Sequence, residues 1–403
     1  MTPRVALIGA HGHGRWHRRR LTELADSGVL QIAAFCDTAP ILDAGQVEVF
    51  TDHREMLAQA TPDVVIICTP PHTHAPIALD CVRAGADLLL EKPPLLSLAE
   101  HDALTAALAD HGRVCQVGFQ ALGSRALARL RAEIAAGRLG EITGISAYGA
   151  WQRDDAYWSR SPWSGRRSVG GRPSLDGALA NPFAHAIMQC LAVLPAPVRV
   201  ASVEIERFRA RPIEVDDTAC LRIRPVDGPP IVVAVTLCAE GFLPGEVIVH
   251  GTAGRAELEY TTDRLRLPGE DYQDLGGRSD LLINLLQHRD ELIAPLALTA
   301  PFTAVIEQLA SAPAPWPVDP ARVSERDAGP ARKLVIQGID AVVRASAGRL
   351  ALFFELSGLD GIEPPQVKGA DPMKQFTVAE FGARSHLQPV NSETAETGLQ
   401  QGA

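Results

Sequence analysis

The sequence predicts an α/β chain of two domains: a doubly wound parallel sheet at residues 1–122, then an α+β domain with a large, mostly antiparallel sheet at residues 123–330. Three observations predict it. Apolar runs of strand length alternate with helix-like stretches up to about residue 120, and from Ile142 the pattern changes to strands separated by turns. The length of 403 residues also exceeds what one hydrophobic core serves, so a division is expected.

Arg4–Ile8 is an apolar run that ends at Gly9, with Gly12 and Gly14 behind it and a helical segment from Arg15 to Ser27. The next strand, Gln31–Cys36, closes on Asp37, about 23 residues beyond Gly14. Glycines between strand and helix let backbone N–H groups approach a pyrophosphate, and the helix N-terminus favours its negative charge. A carboxylate ending the second strand accepts ribose hydroxyls and repels a 2′-phosphate, which favours NAD over NADP. This is the layout of a Rossmann-type domain, with Gly9, His11, Gly12, His13, Gly14 and Asp37 as cofactor-binding candidates. The register is imperfect, because His11 stands where G-x-G-x-x-G has its second glycine and Gly12 falls one place late. His11, His13 and His17 cluster, but the sequence offers no acidic or cysteine partner beside them, and no metal is expected.

Further strands are read at Asp63–Thr69, Asp87–Leu90 and Val114–Gly118, with a helix from Ala75 to Ala84. A parallel sheet binds ligands at its C-terminal strand ends, where Thr69, Pro70, Glu91, Lys92 and Pro93 fall. Lys92 leaves an apolar strand and precedes Pro93-Pro94, which would hold it rigidly at that edge.

With 46% hydrophobic and 21% charged residues, most of the chain is expected to fold. A net charge of -10 argues against nucleic acid or an anionic membrane as partner and fits a small-molecule substrate. Seven cysteines, spread singly through apolar stretches without a C-x-x-C pair, read as reduced core residues in a cytoplasmic protein. Arg18-Arg19-Arg20 is followed by Glu23 and Asp26 rather than an apolar export core, and no run reaches the length of a membrane span.

In the second domain, strands are read at 142–151, 198–206, 218–224, 231–238, 246–250 and 255–260, with turns at Asp227-Gly228 and Thr252-Ala-Gly254. One face of such a sheet needs covering by helices or a second subunit, so a homo-oligomer, dimer or tetramer, is expected. Asn181 before Pro182 reads as an N-cap with proline at the first helical position, opening a helix through Leu191. Adjacent Asp216 and Asp217 face opposite sides of a strand and read as strand-edge residues rather than a paired acid. Helices are expected at Asp280–Ile293, Ala300–Ala310 and Arg332–Ala347, the last within a C-terminal helical segment at 331–360, and residues 361–403 as an extended or mobile tail.

The run Thr69-Pro-Pro-His-Thr-His74, then Ala84-Gly85, then Glu91-Lys92-Pro93 resembles the glucose-fructose oxidoreductase and inositol dehydrogenase family (Gfo/Idh/MocA), over about residues 3 to 310. Pro71 stands in place of that family's Asn, and Asp87-Leu88 in place of His-Val; the E-K-P core is intact. The segment Asp176-Gly-Ala-Leu-Ala-Asn181-Pro-Phe-Ala-His185 is similar to the stretch that carries the family's active-site histidine. The resemblance implies an NAD-dependent oxidoreductase acting on a secondary alcohol of a sugar, sugar acid or cyclitol. It gives His185 the role of base, Asn181 a place beside it, and Lys92 a position between nicotinamide and substrate hydroxyl. With His74, the strand-end residues Thr69, Pro70, Glu91 and Lys92 complete the cofactor-binding set.

His185 sits near the positive end of its expected helix, which keeps the ring neutral and able to accept a proton. An amide at 181 orients the ring without stabilising imidazolium, so catalysis leans on Lys92, with Asp176 the nearest alternative carboxylate. Arg160, Trp163 and Arg166 are candidates for gripping a polyol or acidic sugar. Two other readings stay open: a hydrolase or lyase that retains NAD and oxidises transiently, and a non-catalytic dinucleotide sensor, which His11, Pro71 and Asn181 make conceivable.

Overall fold

A computed structural model of the chain describes residues 2–194, 198–328, 331–357, 363, 365–367 and 377–380. The first domain contains β1 (Arg4–Ile8), α1 (Gly14–Asp26), β2 (Gln31–Cys36), β3 (Val49–Phe50), α2 (His53–Ala60), β4 (Val64–Ile67), α3 (His74–Arg83), β5 (Asp87–Leu90), α4 (Leu98–His111) and β6 (Cys115–Val117). The six strands pair in parallel in the order β3-β2-β1-β4-β5-β6. Every residue of β4 and β5 is buried, as a sheet covered by helices on both faces requires. The strand order reverses beside β1 and β4, so their C-terminal ends open a crevice that the glycine turn, Thr69 and Lys92 border.

After α5 (Arg125–Ala135) come β7 (Ile142–Gln152), α6 (Asp155–Trp158), a hairpin of β8 (Ser168–Val169) and β9 (Arg172–Pro173), and α7 (Ala184–Ala192). The chain continues through β10 (Val200–Arg209), β11 (Thr218–Pro225), β12 (Ile231–Thr236), β13 (Cys238–Gly251), β14 (Gly254–Glu259), β15 (Arg264–Arg266) and β16 (Gln273–Asp274). It ends with α8 (Leu281–Gln287), α9 (Ala300–Ser311), β17 (Trp316–Pro317), β18 (Val323–Ala328), β19 (Ala331–Ile336), α10 (Ile339–Arg349) and β20 (Thr377–Glu380). Among the described residues the second sheet has ten strands, in the order β16-β15-β14-β13-β7-β12-β11-β10-β17 with β20 also on β10. It is mixed but mostly antiparallel, the β7–β12 and β10–β17 pairs being parallel.

One face of this sheet, with Ile145, Ala147, Val233, Val235, Val247 and Val249, joins the core formed with α7 and α9. On the other, Tyr148, Ala150, Val232, Ala234 and Ile248 pack with Ile339, Val342, Val343 and Ala347 of α10. Over these residues the cover expected from helices or a second subunit is α10.

Several expectations need correction. Arg332–Ile336 is not helical: it is the second arm of the β18–β19 hairpin, and the helix starts only after Gly338, whose φ of +76° turns the chain. The helix at Asp280 stops at Gln287, with the Asp280 carboxylate accepting N–H bonds from Leu282 and Ile283 at 2.8 and 3.0 Å. Beyond the domain border at residue 122, residues 281–296 return to the first domain. Leu281, Leu282 and Leu285 join the cluster of Val5, Leu7 and Leu21, and the Gln116 amide donates to Asn284 at 2.6 Å. Of the expected tail, Thr377–Glu380 pairs antiparallel with β10; most of residues 361–403 lies outside the described residues. All seven cysteines are free thiols, and among the described residues no helix is long and apolar enough to cross a membrane.

Candidate active site

The turn from β1 into α1 is built on contacts that only glycine allows. Gly9 has φ +88°, and a Cβ there would meet the Cys68 carbonyl oxygen at 2.4 Å; a Cβ on Gly14 would lie 1.9 Å from the Gly9 carbonyl oxygen. Gly12, at φ +55°, faces open space. Gly9 and Gly14 therefore close the turn and Gly12 leaves its outer side bare at the N-terminus of α1, a cradle that fits a pyrophosphate.

Asp37 ends β2 beside this turn. Its carboxylate accepts the N–H groups of Ala10 at 2.8 Å, His11 at 3.3 Å and Ala39 at 3.0 Å, and the His11 Nδ1 lies 2.9 Å away. Partial desolvation would raise its pKa, but the N–H of Ala39 and the His11 ring outweigh that and hold it below the usual value. Asp37 is thus charged and fixed where ribose hydroxyls are expected. His11 occupies the place of a second glycine without blocking the turn, because its ring turns toward Asp37.

Two of the expected cofactor-binding residues are engaged by the protein itself. His74 is buried, with Nε2 2.8 Å from the Thr69 carbonyl oxygen and Nδ1 3.0 and 3.1 Å from those of Pro93 and Pro94. Both ring nitrogens are engaged by backbone, so this side chain braces the Thr69-Pro70 turn against the segment that follows Lys92. Thr73 adds to the brace, its hydroxyl donating to the Pro70 carbonyl at 2.7 Å.

Glu91 is buried too, and its carboxylate meets His17 Nε2 at 2.9 Å, the Gln120 amide at 3.2 Å and the Lys92 N–H at 3.1 Å. A Cβ on Gly118 would come within 2.7 Å of it, so the carboxylate fills the space beside that glycine. Burial alone would raise its pKa; the histidines at 13 and 17 pull it far below the usual carboxylate range instead. Gln120 and Gly118 escaped the sequence reading, since neither belongs to a recognisable local pattern.

His13, His17 and Glu91 bring ligand atoms within 4.8 Å of one another, an acidic partner 74 residues from His17 that the sequence did not reveal. Two features weigh against a cation there. His13 and His17 stand at the N-cap and in the first turn of α1, whose positive end repels cations, and the Glu91 oxygens already accept protein donors. His13 instead stacks on Trp16, with ring centroids 5.8 Å apart and planes 1° from parallel.

Lys92, joined to Pro93 by a cis peptide bond, reaches across to the second domain: its Nζ donates to the Asn181 side-chain oxygen at 2.7 Å and to the Asn181 carbonyl at 3.0 Å. Asn181 is not an N-cap. Residues 181–183 form a turn, α7 begins at Ala184, and the Asn181 side chain is spent on Lys92 and, through its amide, on Asp176 at 2.7 Å. Asp216 holds this turn in place from the start of β11, accepting the Leu179 N–H at 3.1 Å. Burial lowers the Lys92 pKa, opposed by the negative charges of Glu91 and Asp176.

His185 lies in the first turn of α7 with Phe119 edge-on at 5.7 Å, and its Nδ1 is buried with no hydrogen-bond partner. Desolvation, then the Lys92 charge, pull its pKa down to about 3. The ring is neutral, an acceptor beside a cation.

Of the three residues expected to grip substrate, Arg160 and Trp163 come together and Arg166 is paired elsewhere. The Arg160 guanidinium donates to both oxygens of buried Asp176, at 2.7 and 2.8 Å, and lies over the rings of Tyr157 and Trp163 at 3.9 and 4.9 Å. Arg166 pairs with Glu214 at the surface.

Sequence models of the "Oxidoreductase family, NAD-binding Rossmann fold" and of the "GFO/IDH/MocA C-terminal domain" match residues 3–119 and 127–257. Similar curated proteins include the rhizopine catabolism protein MocA of Rhizobium meliloti, 29% identical over 43% of this chain and 53% of that one. The D-glucoside 3-dehydrogenase of Escherichia coli is 26% identical over 51% and 58% of the two chains. The matched stretches thus span little more than half the length of these relatives. Among solved structures, the WlbA dehydrogenase of Bordetella pertussis in complex with NADH and UDP-GlcNAcA superposes with a TM-score of 0.65, covering 79% of this chain and all of that one at 22% identity, a likeness of fold.

Proposed function

The chain belongs to the Gfo/Idh/MocA oxidoreductase family, with its NAD-binding Rossmann fold at the N-terminus, and on that premise we propose that it oxidises a secondary alcohol of a sugar, sugar acid or cyclitol. The observation that carries this reading is the Lys92 ammonium, fixed on Asn181 beside neutral His185. Bound NAD supplies the two-electron acceptor for the carbon being oxidised. The protein's own part is to place that carbon, to take the hydroxyl proton and to stabilise the oxygen as it loses it.

His185 takes the proton on its imidazole. A base this weak works only if another group neutralises the oxygen's developing charge, and Lys92 is that group. The interaction strengthens as the proton leaves, so it lowers the barrier rather than merely tightening binding. The Arg160 guanidinium is engaged by Asp176.

The test is a panel of sugars, sugar acids and inositols assayed by NADH absorbance with the wild type and with Lys92→Ala. Turnover by the wild type, reduced about 100-fold or more in the variant while NAD still binds, is the expected result. Equal turnover by Lys92→Ala would refute the assignment, and product formed without NADH would favour the NAD-retaining hydrolase.

A further inference from the structure

The Arg160, Asp176, Asn181 and Lys92 side chains form one continuous chain of hydrogen bonds. Arg160 grips Asp176 with two contacts of 2.7 and 2.8 Å, the Asn181 amide donates to Asp176 at 2.7 Å, and Lys92 donates to the Asn181 oxygen at 2.7 Å. The Asp176 side chain has no exposed surface, and it also accepts the Gly165 N–H at 3.0 Å. A buried carboxylate at the far end of an amide that holds a catalytic ammonium is an arrangement with an electrostatic consequence. Asn181 carries no charge of its own; aligned by Asp176 behind it, the amide presents only its oxygen to Lys92.

We propose that Asp176, acting through Asn181 and held by Arg160, is a positioning residue that keeps the Lys92 ammonium charged and aimed into the crevice. The role assigned to Asp176 rests on the reading of Lys92 given above. The charged and titratable groups around Lys92 are Glu91, Asp176, Arg160, Cys68 and His185. Glu91 and Asp176 favour the ammonium; Arg160 and burial disfavour it. The Cys68 thiol is itself raised far above its ordinary pKa by burial and stays neutral. Removing the carboxylate therefore weakens the ammonium twice, by losing an attractive charge and by releasing the Arg160 charge from its partner.

The chain contains four lysines, at positions 92, 333, 368 and 374, so [13Cε]lysine labelling gives a spectrum simple enough to follow Lys92 directly. The Lys92 resonance is the one missing from Lys92→Ala. Its titration is expected to move about one pH unit lower in D176N and to move higher in R160Q. The double variant D176N/N181D, which shifts the negative charge one link along the chain, is expected to restore the wild-type midpoint. A purely structural role predicts neither the opposite signs nor the rescue. An unchanged midpoint in D176N, or a folded double variant without rescue, overturns the proposal. Should D176N fail to fold, the sign of the R160Q shift decides alone. In turnover, the alkaline limb of kcat/KM moves with the same midpoints; if Lys92→Ala keeps full activity, the catalytic reading fails while the titrations still judge the link to Asp176.

Discussion

Gly12 and Gly14 are two residues apart in the same turn, and alanine at each should produce different defects. At Gly12 the added methyl meets no atom within 4 Å, so its cost to the fold is that of an L-residue at φ +55°, about 1 kcal/mol. For a domain of this size that lowers Tm by roughly 4 °C. The methyl does, however, project from the bare side of the cradle, into the space read as the pyrophosphate site. Losing close backbone approach there is expected to cost about 2 kcal/mol of binding, or roughly 30-fold in Kd for NAD. At Gly14 the methyl would sit 1.9 Å from one backbone atom of Gly9 and 2.8 Å from another. No flexible side chain can yield, and Gly9 is itself pressed against the Cys68 carbonyl, so the turn has to open at about 3 kcal/mol or more. Thermal melts without ligand and NAD titrations by calorimetry separate the two. The expected pattern is a stable Gly12→Ala that binds weakly and a Gly14→Ala with a much lower Tm. Wild-type NAD affinity in Gly12→Ala would refute the placement of the pyrophosphate, and a Gly14→Ala as stable as the wild type would refute the steric account.

Asp37→Ser removes the fixed carboxylate that repels a 2′-phosphate, and the NADP-to-NAD ratio of kcat/KM should rise at least tenfold; an unchanged ratio would remove Asp37 from cofactor selection. His74→Ala frees the Thr69-Pro70 turn from the segment after Lys92, so kcat should fall along with stability while NAD affinity changes little, as paired melts and kinetics would reveal. Glu206, fully buried on β10, has its pKa raised to about 8, first by burial and against the N–H groups of Phe354 and Phe353. The folded state therefore holds its proton more tightly than the unfolded state, whose value is near 4.5, so stability is full below about pH 4.5 and declines as pH rises toward 8. Glu206→Gln should cancel that decline and gain about 3 kcal/mol over the wild type near pH 7; urea melts from pH 5 to 9 showing a difference independent of pH would disprove it.

The parallel sheet was legible because its inner strands are buried on both faces and so read as unbroken apolar runs, as in Val64–Ile67 and Leu88–Leu90. The position of Lys92 was legible for a similar reason: a strand end followed by two prolines leaves little freedom. Residues 332–336 were misread because Val335 and Ile336 match helical and strand spacings equally well over so short a run, and hairpin pairing with β18 decided between them. Asn181 before Pro182 satisfied the local rule for a helix start, but Lys92, 89 positions earlier in sequence, offered its side chain a better partner. The bond between Arg160 and Asp176, the brace from His74 to Pro93 and Pro94, and the seat of Glu91 against His17 join residues 16 to 74 positions apart. No periodicity encodes such pairings. They arise only once the sheet brings its strand ends together.

The two halves of the site stand on different domains, and that division makes binding and chemistry separable. The glycine turn, Asp37 and the His74 brace belong to the first domain, where each is held by contacts internal to it. Asn181, Asp176 and His185 belong to the second, where Asp216 fixes their turn. Lys92 is rooted in the first and oriented by the second, so its aim depends on how firmly the domains are stitched. The stitching runs through the returning segment 281–296: Arg289 grips Asp87 at 2.6 and 2.9 Å, Gln116 holds Asn284 and the Ala294 N–H, and His101 meets the Leu296 carbonyl at 3.0 Å. Weakening it, for example with Arg289→Ala, should leave the pyrophosphate cradle intact and loosen the ammonium. A fall in kcat with NAD affinity preserved is therefore expected from a residue remote from the crevice, and loss of NAD binding in that folded variant would show that the first domain does not hold its cofactor site independently.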